Sequence, residues 1–390
     1  MRMKLNKKGQ LILVSAVSLL AASLVTACGT LTIDFVFVSS AKAAGSYNYG
    51  EIDVFEINSE SGYMRQIPTS PFPSGGRLPV SEALSSDNSN LYVVNQDDNT
   101  IVQFTIGSDG KLYPQNTTNT PGLLPLKAAV SGSYLFVLDT YKPLATCTTS
   151  APCSGAIGVL PIDSSGALGT AVSNGSLTYW PLSVSGSSDI ILPTGETVTA
   201  NGSYLYVTAY DTTAKTGYVF GYSIGSTGAL TALTGSPWAV GTYPSALARD
   251  INSAYLYVTD QTASKIYSYT IGSAGALTLK NSASTGSKPS ALAVDSAANW
   301  IYVTNATDST VSAYSVSSGV LSSVGTYGTG LQPVAIGIDP ARHHFVYTVN
   351  YLGPNVSGFE INSDGSLYGS QDSPYTANSL PTDVVAISHH

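Results

Sequence analysis

One short apolar segment with an aromatic residue at a fixed place returns seven times along this chain. The copies are Val36-Phe37-Val38, Leu91-Tyr92-Val93-Val94-Asn95, Leu135-Phe136-Val137-Leu138-Asp139, Leu205-Tyr206-Val207-Thr208, Leu256-Tyr257-Val258-Thr259-Asp260, Ile301-Tyr302-Val303-Thr304-Asn305 and Val346-Tyr347-Thr348-Val349-Asn350. Most successive aromatic positions lie 44 to 55 residues apart, with one interval of 70. A unit of about 45 residues that cannot bury its own apolar faces must stack on its neighbours. Each copy sits among three further runs, clearest in Pro289 to Asp295, Trp300 to Asn305, Ser309 to Val316 and Leu321 to Tyr327. Their β-branched and aromatic content, with Asn, Asp, Gly and Ser between runs, predicts four strands joined by tight turns.

The two ends of the repeat array complete each other. The first unit opens on its second strand, Thr32 to Val38, and Pro381-Thr-Asp-Val-Val-Ala-Ile387 matches the first-strand pattern of Pro289-Ser-Ala-Leu-Ala-Val294. Pairing the last strand into the first unit closes a ring and removes open sheet edges. The prediction is all-β: a single seven-bladed β-propeller of four-stranded antiparallel blades over 28–390, closed by the C-terminal strand, with no domain boundary. The long interval is read as an insertion at 177–199, where Tyr179-Trp180-Pro181 is either exposed for partner or glycan contact or packed inward. Charged residues make up only 10% of the chain and 25 Tyr are present, which excludes a coiled coil and a disordered acidic chain.

Tyr302-Val-Thr-Asn305, with Pro289-Ser-Ala-Leu-Ala-Val-Asp295 upstream and Ser-x-Gly-x-Leu turns downstream, resembles the YVTN-repeat propellers of the lactonase-like superfamily, which includes bacterial 6-phosphogluconolactonases. The resemblance implies the propeller fold over nearly the whole mature chain. For activity it implies less, because the recurring residues are those that build blades. WD-type repeats fit worse, since Trp180, Trp238 and Trp300 are followed by Pro, Ala and Ile rather than Asp.

The first ten residues carry Arg2, Lys4, Lys7 and Lys8 without an acid, and Leu11 to Ala27 is uncharged and apolar, a signal-peptide pattern over 1–27. Val25-Thr26-Ala27-Cys28 resembles a bacterial lipobox, which implies lipid attachment at Cys28. With Gly29 following, the resemblance to Gram-negative sorting signals implies the outer membrane or its periplasmic side. The alternative is an ordinary secretory cut near Ala41-Lys42-Ala43-Ala44. Without residues 1–27 the chain holds 12 basic and 24 acidic groups, so it disfavours nucleic acid and touches a membrane only through a lipid anchor. Cys147 and Cys153 then remain as an even pair, expected as a local disulfide in an oxidising compartment.

Loops joining second to third strands, and blade to blade, share one face around the channel mouth. The mouth candidates are Asn95, Asp97, Asp139, Tyr141, Asp211, Asp260, Asn305, Asn350 and Tyr351, a polar funnel for a small polar ligand, a glycan or an envelope protein. Ending strands and capping turns is the competing explanation for the Asn and Asp residues. Hydrolysis of a lactone needs a base and an oxyanion donor. Glu82 and Arg77, assigned to the connection from first to second blade, with Lys127 as a cation, are the candidates; His343, His344, His389 and His390 lie away from the mouth. No calcium loop, nucleotide loop or nucleophile elbow is present, so neither metal nor cofactor is implied. The sequence reading is a monomeric, lipid-anchored envelope propeller that binds or scaffolds through its mouth, with lactone hydrolysis of the 6-phosphogluconolactonase type as the alternative.

Overall fold

The computed structural model describes residues 33–41, 49–58, 60–144, 146–295, 300–340, 344–378 and 380–388. The expected signal peptide over 1–27, Cys28, His343, His389 and His390 lie outside them. Seven antiparallel sheets form the described structure, each a blade. In blade 1 the strands run outward as Pro381–Ile387, Ile33–Ser40, Glu51–Asn58 and Met64–Gln66, so the end of the chain supplies the innermost strand of the blade that begins it. The ladder pairs Phe35 with Ile387 through Ser40 with Pro381. Blades 2 to 7 run outward in chain order from innermost strands Pro79–Leu84, Leu123–Ser131, Ile191–Val198, Pro244–Arg249, Pro289–Asp295 and Pro333–Ile338. Each innermost strand touches the next, and Pro381–Ile387 touches both Pro79–Leu84 and Pro333–Ile338, which closes the ring.

Alternation along each strand puts one set of side chains against each neighbouring blade, and the apolar residues form seven clusters, one per blade interface. The recurrent tyrosine explains itself in this geometry. Its ring is buried between blades, and its hydroxyl, which burial obliges to find a partner, donates to a glycine carbonyl in the outer hairpin of the following blade: Tyr92 to Gly166, Tyr206 to Gly275, Tyr302 to Gly365 and Tyr347 to Gly62. Those glycines have φ between 65° and 84°, and a Cβ on Gly365 would meet the Trp300 ring at 2.3 Å. The turn repeat and the tyrosine repeat are two halves of one inter-blade stitch.

The segment 177–199 is not an insertion. Trp180–Pro181 pairs with Ala156–Pro161 as the outer strand of blade 3, and Ile191–Val198 is the innermost strand of blade 4. Its Thr194-Gly195-Glu196 departs from the Ser-Ala-Leu of blades 5 and 6, which disguises the strand. Tyr179 and Trp180 are buried, and the indole N–H donates to Leu230 O at 2.9 Å, so the inward alternative holds. Extra length before the strand comes partly from the loop closed by the Cys147–Cys153 disulfide.

Candidate active site

Every innermost strand enters from the mouth at a proline, or shortly before one, and the ladders place the residue three positions after it in a shared register. Glu82, Glu196, Leu247 and Leu292 face Val93, Val207, Val258 and Val303 of their second strands, and Ile336 takes the same place in blade 7. Glu82 and Glu196 therefore stand where blades 5 to 7 carry Leu247, Leu292 and Ile336 and blades 1 and 3 carry Val384 and Ala128. Two positions after the proline, where blades 5 to 7 carry Ala246, Ala291 and Ala335, blade 3 carries Lys127 and blade 1 carries Asp383. Glu82 and Lys127 are thus strand residues of the channel wall, and Glu82 is not in the blade-to-blade connection expected from sequence.

These departures gather around a central cavity of about 300 Å3 lined by all seven innermost strands. Asp383 Oδ2 accepts the Glu82 backbone N–H at 2.9 Å and the Lys127 ammonium at 3.1 Å, so Lys127 reaches past blade 2 to blade 1. Ser39 Oγ donates to Glu82 Oε1 at 2.6 Å, leaving Oε2 without a hydrogen bond of ordinary geometry. The Lys127 side chain is 38% exposed, and the ammonium keeps donors free beyond the Asp383 bond. Burial first, and the Asp383 charge second, hold the Glu82 carboxyl well above the usual range, with Ser39 and Lys127 acting in the opposite sense. Glu196 lines the same cavity, and neither of its carboxyl oxygens has a hydrogen-bond partner. Burial, then the Asp139 charge, raise its pKa well above the ordinary value, against the pull of Lys127.

Sequence reading missed Glu196, Asp383 and Ser39. The signal for the first two was present: each is a charged residue in a register where blades 5 to 7 are apolar. Ser39 carries no comparable mark, because a serine at a strand end is unremarkable and its contact with Glu82 arises only where blades 1 and 2 pack together.

The mouth candidates are placed differently. Asn95, Asp139, Asp211, Asp260, Asn305 and Asn350 are all buried and fasten turns. Ser74 Oγ donates to Asn95 Oδ1, Asp139 Oδ2 accepts from Gly122 N–H, and Asp211 Oδ1 accepts the amides of Thr213 and Ala214. Asp260 does the same for Thr262 and Ala263, Asn305 donates to Thr310 and Ser312, and Asn350 donates to Asn355 and Ser357. A glycine of the incoming loop lies over five of the six: Gly76, Gly122, Gly241, Gly286 and Gly330 would each drive a Cβ to within 2.7 Å of the carboxyl or amide below. The recurrent Gly-x-x-Pro before innermost strands marks this bracket in the sequence, and it corrects the expectation of a polar ligand funnel. Tyr141 is buried, Tyr351 half-buried and Asp97 exposed, and none of the three lines the cavity. Arg77 is held at the rim by Asp98, whose Oδ1 and Oδ2 accept its Nε–H and backbone N–H at 2.7 Å each, away from Glu82.

Asp139 has a second consequence. Burial lifts its pKa from 3.8 to about 8, against the pull of Gly122 and Thr120, and its Oδ1 has no hydrogen bond of ordinary geometry. The folded state keeps a proton here that the unfolded chain releases, so this stability is complete below about pH 4 and is lost as pH rises through about 8. Asn in place of Asp139 still accepts from Gly122 and does not ionise. The Asp139→Asn variant is therefore expected to out-melt the wild type by a margin that widens between pH 4 and 8, on the order of a few kcal/mol at the alkaline end. Thermal melts across that range check it, and parallel curves would contradict it.

Residues 204–320 and 256–383 match the family described as lactonase, seven-bladed β-propeller. Among curated proteins none matches the sequence significantly. The structure is similar to a Bacteroides fragilis protein described as a candidate 6-phosphogluconolactonase, with TM-score 0.76 and 18% identity over 92% of this chain and 99% of that one. It is similar to the periplasmic gluconolactonase of Pseudomonas aeruginosa, with TM-score 0.74 and 18% identity over 92% and 100%. A Lactobacillus plantarum protein gives TM-score 0.72 and 18% identity over 91% and 100%. At this identity the solved structures establish the fold alone.

Proposed function

Starting from a lactonase-like seven-bladed β-propeller whose later blades match that family, we propose that this chain hydrolyses lactones in its central channel. The observation that carries the reading is the group Glu82, Lys127 and Asp383, set by strand register around one cavity, with Asp383 accepting both the Glu82 backbone N–H and the Lys127 ammonium. Glu82 as carboxylate takes a proton from water as the water oxygen bonds to the lactone carbonyl carbon. Lys127 donates hydrogen bonds to the carbonyl oxygen, which becomes the oxyanion. Collapse breaks the ring C–O bond, and the proton held by Glu82 passes to the departing alkoxide. Lactone and water become a hydroxy acid, and the site returns to its starting state. Asp383 acts through Lys127 as a positioning residue, and Ser39 fixes one oxygen of Glu82.

The neighbouring structures bear names of gluconolactonase type, which favours the same chemistry. With one cation bound to one carboxylate and two further carboxyls in the cavity, the site suits an uncharged lactone better than a phosphorylated one. A pH-stat assay of purified protein on plain and phosphorylated lactones tests this. Turnover of uncharged lactones above the spontaneous rate is expected, and none on any lactone would overturn it.

Export with lipid at Cys28 forms part of the same proposal. It is supported by the acid-free basic start, the Val25-Thr26-Ala27-Cys28 sequence and the disulfide, which suits an oxidising compartment. In a bacterial host, labelled fatty acid is expected to enter the wild type and not Cys28→Ala. Equal labelling of both, or of neither, would contradict it.

A further inference from the structure

The cavity wall is two-sided. Blades 1 to 4 contribute Asp383, Ser81, Glu82, Lys127, Thr194 and Glu196, whereas blades 5 to 7 contribute chiefly Leu247, Leu292, Ile336 and the alanines at 246, 291 and 335. Two serines interrupt the apolar arc, and the hydroxyl of each is engaged with the neighbouring blade. Ser245 Oγ donates to Pro289 O at 2.6 Å and Ser290 Oγ to Pro333 O at 2.7 Å, each from one blade to the next. Leu292 and Ile336 are only half-buried despite lying on innermost strands, so the hydrocarbon they leave uncovered faces the channel. Polyhydroxylated sugars need donors and acceptors around most of their edge, and across blades 5 to 7 the side chains of this ring offer only two serine hydroxyls already engaged between blades.

We infer that the substrate carries an uncharged hydrocarbon substituent: a lactone whose ester group meets Lys127 and Glu82 while an alkyl chain lies against Leu247, Leu292 and Ile336. This rests on the lactone-hydrolase reading and narrows it from lactones in general to alkyl-substituted ones. Moving each methylene from water onto this wall raises kcat/KM about three- to fourfold until the cavity is filled.

The experiment measures kcat/KM for δ-lactones substituted from methyl to hexyl, beside glucono-δ-lactone and its 6-phosphate. In parallel, calorimetry follows binding of the ring-opened alkyl hydroxy acids to the same protein. Rates that climb with chain length and exceed those of both sugar lactones, together with a Leu292→Asn or Ile336→Thr variant in which the climb flattens, are the expected result. Turnover indifferent to chain length, or favouring a sugar lactone, would overturn the inference and leave lactone hydrolysis standing. Binding that tightens with chain length, without turnover of any lactone, would uphold the apolar wall and remove the hydrolytic reading. Absence of both turnover and chain-length-dependent binding would overturn the two together.

Discussion

Deleting residues 381–390 is expected to cost the protein most or all of its stability, although the deleted segment is a small part of the chain. Val384 and Ile387 are each 5% exposed, and burying two such side chains is worth about 3–6 kcal/mol. A typical domain has only about 5–15 kcal/mol in total. The ladder from Phe35–Ile387 to Ser40–Pro381 goes as well, and with it the contacts of this strand to blades 2 and 7. Blade 1 would then present the unpaired edge of Ile33–Ser40 to the channel, an invitation to association. Thermal melting and light scattering read both effects. If the truncated chain does not fold alone, a synthetic peptide of residues 380–390 is expected to restore a cooperative melt when added in trans. Wild-type melting by the truncated chain would refute ring closure.

The second large effect falls on activity. Glu82→Gln is expected to lower kcat on a lactone by about 10²–10⁴, the usual loss with a general base. Its amide oxygen still accepts from Ser39, and it removes a buried ionisable group, so its melting temperature should be unchanged or higher. Lys127→Met is expected to cost about 10²–10³ through loss of the oxyanion donor. Asp383→Asn keeps the strand while loosening the hold on Lys127, so it should lower kcat more than it raises KM. Arg77→Ala should leave the rate near wild type, because Arg77 is bound to Asp98 at the rim. A rate loss at Arg77 as large as at Glu82 would return the chemistry to the mouth.

The sequence showed the blades themselves because each must solve the same packing problem. Tyr92, Tyr206, Tyr302 and Tyr347 all stitch to the following blade by the same bond, so selection for the stitch writes a visible repeat. Closure was legible for a related reason: a unit lacking its first strand and a strand lacking its unit are each incomplete patterns. The site was harder to read because it consists of departures from the repeat. Glu196 breaks the apolar pattern of its strand so thoroughly that the strand resembles an insertion in sequence, and Asp383 and Lys127 meet only because the ring brings blades 1 and 3 around one cavity. Conversely, Asn95, Asp260 and Asn305 recur conspicuously at strand ends because the same turn-fastening bracket is built in blade after blade, and that recurrence has the look of a ligand surface in sequence.

The central claim is that Glu82, held above the ordinary carboxylate range by burial and by Asp383, is the base of a hydrolytic site. A base works only when ionised, so activity must rise with pH as this raised carboxyl loses its proton. The most direct measurement is the pH profile of kcat/KM on one uncharged lactone for wild type and Glu82→Gln. The account predicts a wild-type limb that climbs through an apparent pKa above the usual range for glutamate and disappears in the variant together with most of the rate. Superimposable profiles in the two proteins would contradict it.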